Sequence, residues 1–176
     1  MVRIGVLELK TAAEGRLCPL PRFAGQEKKN EKGGYMPDPV WSLHPQLAAD
    51  TMLVGDLALS RLLAINAADY PWLILVPRRA DAVELADLGS DAFPLTAEIG
   101  VVSLALKELT RCDKINIAAI GNVVPQLHIH IVARWKTDPL WPKPVFGVTP
   151  LPRAKEATFE RFVEKVRKKL GAAQAR

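Results

Sequence analysis

The sequence predicts a single α+β domain built on an antiparallel sheet. Short segments that alternate apolar with polar residues, or that are apolar throughout, are typical of strands. Trp72–Pro77 is the clearest of these. Two longer segments repeat apolar residues at helical spacing, one between the strands and one near the end of the chain. The links between these segments are short, and no glycine-rich phosphate loop follows a strand, so the pattern does not favour a parallel nucleotide-binding sheet.

The first half of the domain is predicted to contain a short helix and two strands. Ser42 is a candidate helix cap with Pro45 in the first turn, and the helix should run to about Thr51. Leu57–Asn66 resembles a strand. The uninterrupted apolar run Trp72–Pro77 predicts a buried central strand. A short helical piece is expected at Val83–Leu88.

The second half is predicted to contain a long helix, two strands and a final helix. The helix should run from Pro94 to about Arg111. Lys114–Ile120 and Gln126–Ala133 are expected to be strands, with Gly121-Asn122 in the turn between them. Prolines between residues 139 and 152 predict an extended crossing. The apolar positions of the last helix are Phe159, Phe162, Val163, Val166 and Leu170.

Composition divides the chain into three regions. Residues 1–40 are rich in Gly, Pro, Lys and Glu without apolar periodicity, which predicts a poorly ordered N-terminal extension. Residues 41–150 form the patterned domain, and residues 151–176 the basic amphipathic C-terminal helix. A second hypothesis takes Met36 as the native start, and an intact residue 1 in the natively expressed protein would exclude it.

Charge and hydropathy limit the partners. The net charge is +5, but residues 41–149 carry nine Lys and Arg against eleven Asp and Glu. The basic residues therefore belong to the chain ends, and the C-terminal helix is expected to present a solvated face. A nucleic-acid module that uses this tail would show salt-sensitive binding lost on removal of residues 153–176. Because the basic residues lie at the chain ends, we do not expect nucleic acid as a partner. We do not expect a membrane either, since no apolar run approaches the ~18 residues of a membrane span.

Two of the three histidines lie in Gln126–Val132, where apolar and polar residues alternate. On a strand, Gln126, His128 and His130 would share one face and Leu127, Ile129 and Ile131 would pack in the core. A neutral imidazole is a nucleophile toward phosphorus or acyl carbon when a neighbouring backbone carbonyl holds its Nδ1–H. The second imidazole can then contact a phosphoryl oxygen or assist the leaving group.

Two other interpretations of the histidine pair stay open. In the first, the two rings are partly buried, hydrogen-bonded core residues. A metal site is the second alternative, but zinc or iron requires a third or fourth ligand. Gln126 is a poor ligand and His44, which we expect to be a structural or surface residue, is the remaining imidazole. We therefore predict no metal.

The stretch Gln126–Val132 resembles the signature of the histidine triad (HIT) family of nucleotide hydrolases and transferases. The resemblance extends over roughly residues 42–147 and includes Tyr70–Arg78, the long helix and Gly121-Asn122. It is strongest to a bacterial branch that has Gln in place of the first histidine and a Trp-Pro segment after the motif, here Trp141-Pro142. The family fold implied is a five-stranded antiparallel sheet with a long helix and a C-terminal helix.

The resemblance implies a role for each matching residue. His128 would attack the α-phosphorus and form a covalent nucleotidyl-histidine, which water then resolves. His130 would contact the phosphate oxygens, and its backbone carbonyl would orient His128. Gln126 is the remaining catalytic residue that the resemblance implies, and it stands in place of the first histidine of the motif. A Gln there can orient a group but cannot titrate.

Substrate-binding residues are also implied. Asn66 matches the position that faces the ribose hydroxyls, and Asn116 and Asn122 match positions near the ribose and phosphates. Asn66 and Asn122 lie in turns, where Asn is also favoured for its backbone conformations. Leu62 and Ile65 would form part of the base pocket.

The function implied is hydrolysis or nucleotidyl transfer at the α-phosphate of a dinucleoside polyphosphate or a nucleoside phosphoramidate, with a purine nucleotide as substrate. The family implies a homodimer that joins two five-stranded sheets and no cofactor except Mg²⁺ with a polyphosphate. Cys18 and Cys112 form neither a metal-binding spacing nor a disulfide framework, so we expect a reduced, cytoplasmic protein.

Two departures from the family motif favour an alternative, a nucleotide-binding or sensor protein with little turnover. The first is Gln126, and the second is Trp72, which replaces a further histidine. Arg134, farther along the same strand face, is either a polyphosphate contact or a solvated strand end.

Overall fold

The computed structural model describes residues 40–148 and 150–171. The predicted N-terminal extension lies outside the described residues except for Val40, and so does the alternative start at Met36. The helices and strands, in chain order, are α1 (Pro45–Asp50), β1 (Thr51–Asp56), β2 (Ser60–Ile65), β3 (Trp72–Pro77), α2 (Ala92–Thr110), β4 (Lys114–Ala119), β5 (Ile129–Arg134) and α3 (Glu156–Leu170). A 3₁₀ turn at Leu85–Asp91 lies between β3 and α2.

The five strands form one antiparallel sheet in the order β1-β2-β3-β5-β4. Strand β3 lies in the centre, and all of its residues are buried. This burial follows from its continuous apolar sequence, which suits a strand covered on both faces. The predicted α+β class, with an antiparallel five-stranded sheet, a long helix and a C-terminal helix, is confirmed.

One face of the sheet is covered by the two long helices. Leu73 of β3 and Ile131 of β5 point to this side and pack in one cluster with Leu106 of α2 and Val163 of α3. Each of these side chains is at most 1 % exposed. Burial of such aliphatic side chains contributes roughly 1.5–3 kcal/mol each. The cluster on this helical face is the larger of the two hydrophobic clusters.

The opposite face, which we call the histidine face, carries His130. It is covered by α1 and by the segment of residues 140–151 instead of by long helices. Leu47 of α1 and Val145 of that segment pack there against Ile74 and Val132 of the central strands. The candidate site therefore lies between the sheet and a covering layer drawn from both ends of the domain.

The predicted strand at Leu57–Asn66 is confirmed at Ser60–Ile65, but its first residues form the turn of a hairpin. The preceding strand, Thr51–Asp56, which pairs with Ser60–Ile65, was not predicted. Arg78 donates hydrogen bonds to the carbonyls of residues 57–59 at 2.9–3.3 Å, and Glu98 accepts from the backbone amides of Leu59 and Ser60. An apolar turn is stable here because charged side chains distant in sequence satisfy its backbone groups.

The prediction that Ser42 caps α1 was also wrong. The cap is His44, whose Nδ1 accepts a hydrogen bond from the backbone amide of Gln46 at 3.2 Å. Pro45 is the first helical residue, and a proline keeps the residue before it extended, so the cap position falls on His44.

The remaining helical predictions agree with the structure to within a few residues. The long helix spans Ala92–Thr110, and the expected piece at Val83–Leu88 is the 3₁₀ turn at Leu85–Asp91. The last helix buries Phe159, Val163 and Val166. Within residues 40–148 and 150–171, no helix is long and apolar enough to cross a membrane.

Candidate active site

The two histidines of the Gln126–Val132 stretch are brought together on the histidine face. Strand β5 begins at Ile129 instead of Gln126, so His128 precedes the first paired residue. The alternation nevertheless holds, because Leu127, Ile129 and Ile131 are all buried on the helical side. The ring centroids of His128 and His130 are 4.9 Å apart in an edge-to-face arrangement.

The ring of His128 is held by the backbone of Gln126. Its Nδ1 lies 2.7 Å from the Gln126 carbonyl oxygen. A carbonyl can only accept, so Nδ1 carries the proton and Nε2 has a free lone pair. The expected partner was the carbonyl of His130, and that prediction was wrong. Gln126 lies outside the paired register, which leaves its carbonyl available for the ring.

The ring of His130 is fixed by an aromatic neighbour on the central strand. The indole Nε1 of Trp72 donates to Nδ1 of His130 at 3.0 Å. An indole N–H can only donate, so Nδ1 is unprotonated and the proton is on Nε2. Phe146 adds a second aromatic contact, with its ring centroid 5.7 Å from His130 and 5.6 Å from Trp72. Burial, and secondarily the neighbouring His128, lowers the pKa of His130 to about 4, so this ring is neutral at pH 7.

The side chain of Gln126 is bound to the residues that precede α1. Its Oε1 accepts from the backbone amide of His44 at 2.9 Å, and its Nε2 donates to the carbonyl of Ser42 at 2.8 Å. The oxygen and the nitrogen of the amide thus connect the residues just before β5 to a segment more than 80 residues away. The backbone of Gln126 holds the ring of His128, and its side chain holds the segment before α1.

Asn66 is placed at the end of β2, where it binds the C-terminal segment. Its Oδ1 accepts from the backbone amide of Ala154 at 2.8 Å, and its Nδ2 donates to the Ala154 carbonyl at 3.2 Å. The side chain is nearly buried. One amide N–H and one oxygen lone pair remain after these two bonds, and a ligand would have to use those.

Asn116 lies on the histidine face of β4, opposite Val132. Its Oδ1 accepts from Nη1 of Arg134 at 2.9 Å. Arg134 is itself 1 % exposed and forms a bidentate ion pair with Asp138 at 2.7 and 2.9 Å. Both earlier readings of Arg134, as a polyphosphate contact and as a solvated strand end, were therefore wrong. Its guanidinium is occupied inside the protein, where it positions the Asn116 amide.

The other sequence-predicted binding residues are less closely grouped. Asn122 is exposed in the connection from β4 to β5, directly after Gly121, whose φ is 65°. Ile65 pairs with Trp72 and lies on the histidine face. Leu62 pairs with Leu75 and packs on the helical face, so its assignment to a base pocket shared with Ile65 was wrong. Residues three apart on a strand point to opposite sides.

Sequence reasoning missed Phe146 and the connection from Gln126 to Ser42 and His44. Phe146 lies in the proline-rich segment, which was expected to be only an extended crossing, and an isolated aromatic residue there gives no periodic signal. Across the described parts of the chain, no group of three or more His, Cys, Asp or Glu side chains is arranged to hold a metal ion.

Comparisons with known proteins identify one family and several similar structures. A sequence profile described as HIT domain matches residues 46–137. A histidine triad protein from Bradyrhizobium japonicum is 52% identical, with a TM-score of 0.72 over 75% of this chain and 99% of that chain. A histidine triad protein from Sinorhizobium meliloti is 39% identical, with a TM-score of 0.71 over 74% and 97%. One from Marinobacter aquaeolei is 37% identical, with a TM-score of 0.72 over 76% and 98%. No curated protein gave a match.

Proposed function

The chain belongs to the histidine triad (HIT) family, and we propose that it is a nucleotide hydrolase or nucleotidyl transferase that acts at an α-phosphate through a covalent intermediate on His128. One observation carries this proposal. The 2.7 Å contact of His128 Nδ1 with the Gln126 carbonyl leaves the Nε2 lone pair of the same ring free for attack. The proposed substrate is a purine nucleotide with a phosphoric anhydride or phosphoramidate bond.

The first step forms a bond between His128 Nε2 and the α-phosphorus, and the bond from phosphorus to the leaving group breaks with its electron pair. The imidazole becomes cationic, and its Nδ1–H stays on the Gln126 carbonyl, which stabilises that charge. His130 presents its Nε2–H as a hydrogen-bond donor, and we assign it to the phosphate oxygens. A donor in place before reaction stabilises charge that develops in the transition state.

The second step resolves the intermediate. Water, or an acceptor alcohol in a transferase, attacks the phosphorus, and the P–N bond returns its electron pair to Nε2. The proton of the attacking water passes to the solution or to the departing product. The polar amides of Asn66, Asn116 and Asn122 are proposed to bind the ribose and phosphates through the groups that their protein contacts leave free.

Trapping of the intermediate tests this function. The protein is incubated with a purine nucleotide labelled at the α-phosphate, quenched and digested, and the labelled peptide is mapped. We expect acid-labile, base-stable label on His128 that is absent from His128→Asn and retained in His44→Gln. Label on another residue, or hydrolysis that persists in His128→Asn, would contradict the mechanism.

A second candidate is a nucleotide-binding or sensor protein with little turnover. The observation that favours it is the side chain of Gln126, which cannot titrate and is bound through its oxygen to His44 and through its nitrogen to Ser42. Under this alternative, His128→Asn binds nucleotide as tightly as the unmodified protein does. Neither of the two proteins then forms a covalent adduct or a reaction product. The trapping experiment thus separates the two candidates.

We also propose that the protein is a homodimer in the cytoplasm. Strand β4 is an edge of the sheet, and Ile117 on it is 50% exposed. On α2, which contacts β4, Val101 and Leu104 are 56% and 60% exposed. An apolar surface beside an unpaired strand edge favours pairing with a second copy through β4. The buried free thiol of Cys112 suits a reducing compartment.

A further inference from the structure

An N–H donor occupies Nδ1 of the His130 imidazole, because Trp72 Nε1 donates to it at 3.0 Å. The neutral ring therefore carries its proton on Nε2. A second proton could enter only at Nδ1, and it would break the existing hydrogen bond.

The surroundings of His130 reinforce this restriction. Its strand neighbours are Ile74 and Ala118, and its ring contacts are Trp72, Phe146 and His128. Of these described neighbours, His128 is the one titratable side chain, and as a cation it would oppose protonation of His130. The aromatic rings of Trp72 and Phe146 lie 5.4 and 5.7 Å from the imidazole, centroid to centroid, and offer no anion that would stabilise a charged His130.

The charged groups farther along the histidine face do not supply a proton either. Arg134 and Asp138 pair with each other in the interior, with side chains 1% and 3% exposed. The Arg134 guanidinium holds the pKa of the Asp138 carboxyl below its usual range, so that carboxyl is ionised at neutral pH. Arginine remains protonated under all ordinary conditions.

We propose that this site is selective for substrates whose leaving group departs as an anion, meaning nucleotides joined at the α-phosphate by an anhydride oxygen, and that it cleaves nucleoside phosphoramidates poorly. Trp72 is the positioning residue for this selectivity, because it fixes His130 as a donor that cannot act as an acid. The inference rests on the proposed function at His128.

The selectivity follows from the fate of the electron pair. When the P–O bond of an anhydride breaks, the oxygen keeps the pair as a stable phosphate anion, and a hydrogen bond or Mg²⁺ suffices to stabilise it. When a P–N bond breaks, the nitrogen must gain a proton to depart as an amine. A neutral imidazole that keeps its Nε2–H does not deliver that proton, and loss of general acid catalysis costs typically 10²–10⁴ in rate.

Two matched substrates test this inference on the full chain. Diadenosine triphosphate and an adenosine 5′-alkylphosphoramidate carry the same nucleotide but release an anionic phosphate or an amine. We expect kcat/KM for the anhydride to exceed that for the phosphoramidate by at least about 100-fold at pH 7. Comparable values for both substrates would overturn the inference and leave the proposed function intact. Absence of turnover and adduct with the anhydride would overturn both.

A variant pair assigns the effect to Trp72. Trp72→Phe removes the N–H but keeps an aromatic ring, so His130 can take up a proton at Nδ1. We expect the anhydride preference to fall at least 10-fold, with phosphoramidate cleavage rising toward acidic pH. Trp135→Phe, in the helical core away from the histidines, should keep the preference unchanged. An unchanged preference in Trp72→Phe would overturn the role of Trp72. If that variant does not fold, the substrate comparison on the unmodified protein decides the inference.

Discussion

Trp72 Nε1 donates a hydrogen bond to His130 Nδ1 across 3.0 Å, although the two residues are 58 positions apart in the chain. The bond joins adjacent central strands, since Trp72 pairs with Val132 in the antiparallel register. In the sequence, Trp72 was only a departure from the family pattern. In the structure it determines which nitrogen of His130 carries the proton, and therefore what that ring can do.

The stability of the protein should depend on the protonation of His130. Its pKa is about 4 in the folded protein against an ordinary 6.5, so the unfolded chain binds more protons between these values. Stability is then complete above about pH 6.5 and falls as the pH is lowered toward 4, by at most roughly 3 kcal/mol. Urea unfolding at a series of pH values measures this dependence.

The variant His130→Gln provides the control for that measurement. It removes the titrating ring, so the slope between pH 6.5 and 4 should become shallower. The carboxyls of Asp56 and Asp138 also have lowered pKa values, but their ordinary value is 3.8, so they act mainly at lower pH. An unchanged slope in His130→Gln would show that other groups cause the acid destabilisation.

The amide of Gln126 should stabilise the segment that leads into α1. Gln126→Leu removes its two hydrogen bonds, to His44 and Ser42, and is expected to lower the free energy of unfolding by roughly 1–3 kcal/mol. Hydrogen exchange of the backbone amides of residues 46–50 should accelerate. Gln46→Leu is the matched control, because its exposed bond to Asp50 should contribute only a few tenths of a kcal/mol. Equal effects of the two variants would refute this role.

The ion pair of Arg134 with Asp138 should be among the most sensitive points of the domain. Both side chains are buried, so Arg134→Met leaves the Asp138 carboxylate in the interior without its cationic partner and is expected to cost about 3–5 kcal/mol. Arg79→Met breaks the more exposed pair with Asp91 and is expected to cost less than about 1 kcal/mol. Thermal or urea unfolding of both variants gives the comparison, and a small loss in Arg134→Met would mean that water reaches Asp138.

The proposed dimer should depend on Ile117 and Leu104. The double variant Leu104→Glu, Ile117→Lys places charges on the apolar surface of α2 and β4, and we expect a monomer by analytical ultracentrifugation where the unmodified protein is a dimer. Val123→Lys changes an 89% exposed side chain in the β4–β5 connection and should leave the dimer intact. A dimer that survives the double variant would place the interface elsewhere.

The sequence alone was sufficient for features that depend on local periodicity. Side-chain direction in a strand alternates with position, so the spacing of His128 and His130 predicted a shared face, and the intervening apolar residues predicted its orientation. The run Trp72–Pro77 predicted a central strand for the same kind of reason. The resemblance to the HIT family, drawn from these motifs, predicted the five-stranded sheet.

Only the tertiary structure decided which groups the polar side chains bind. Trp72 with His130, Gln126 with Ser42, and Asn66 with Ala154 are pairs whose members are far apart in the chain. The hairpin turn before Ser60 escaped prediction for the same reason, since Arg78 and Glu98 satisfy its backbone from a distance. Periodicity records which residues prefer burial, because burial depends on the residue's own side chain. A hydrogen-bond partner is fixed only when the packed chain brings a donor and an acceptor together, and that arrangement sets the proton on each histidine.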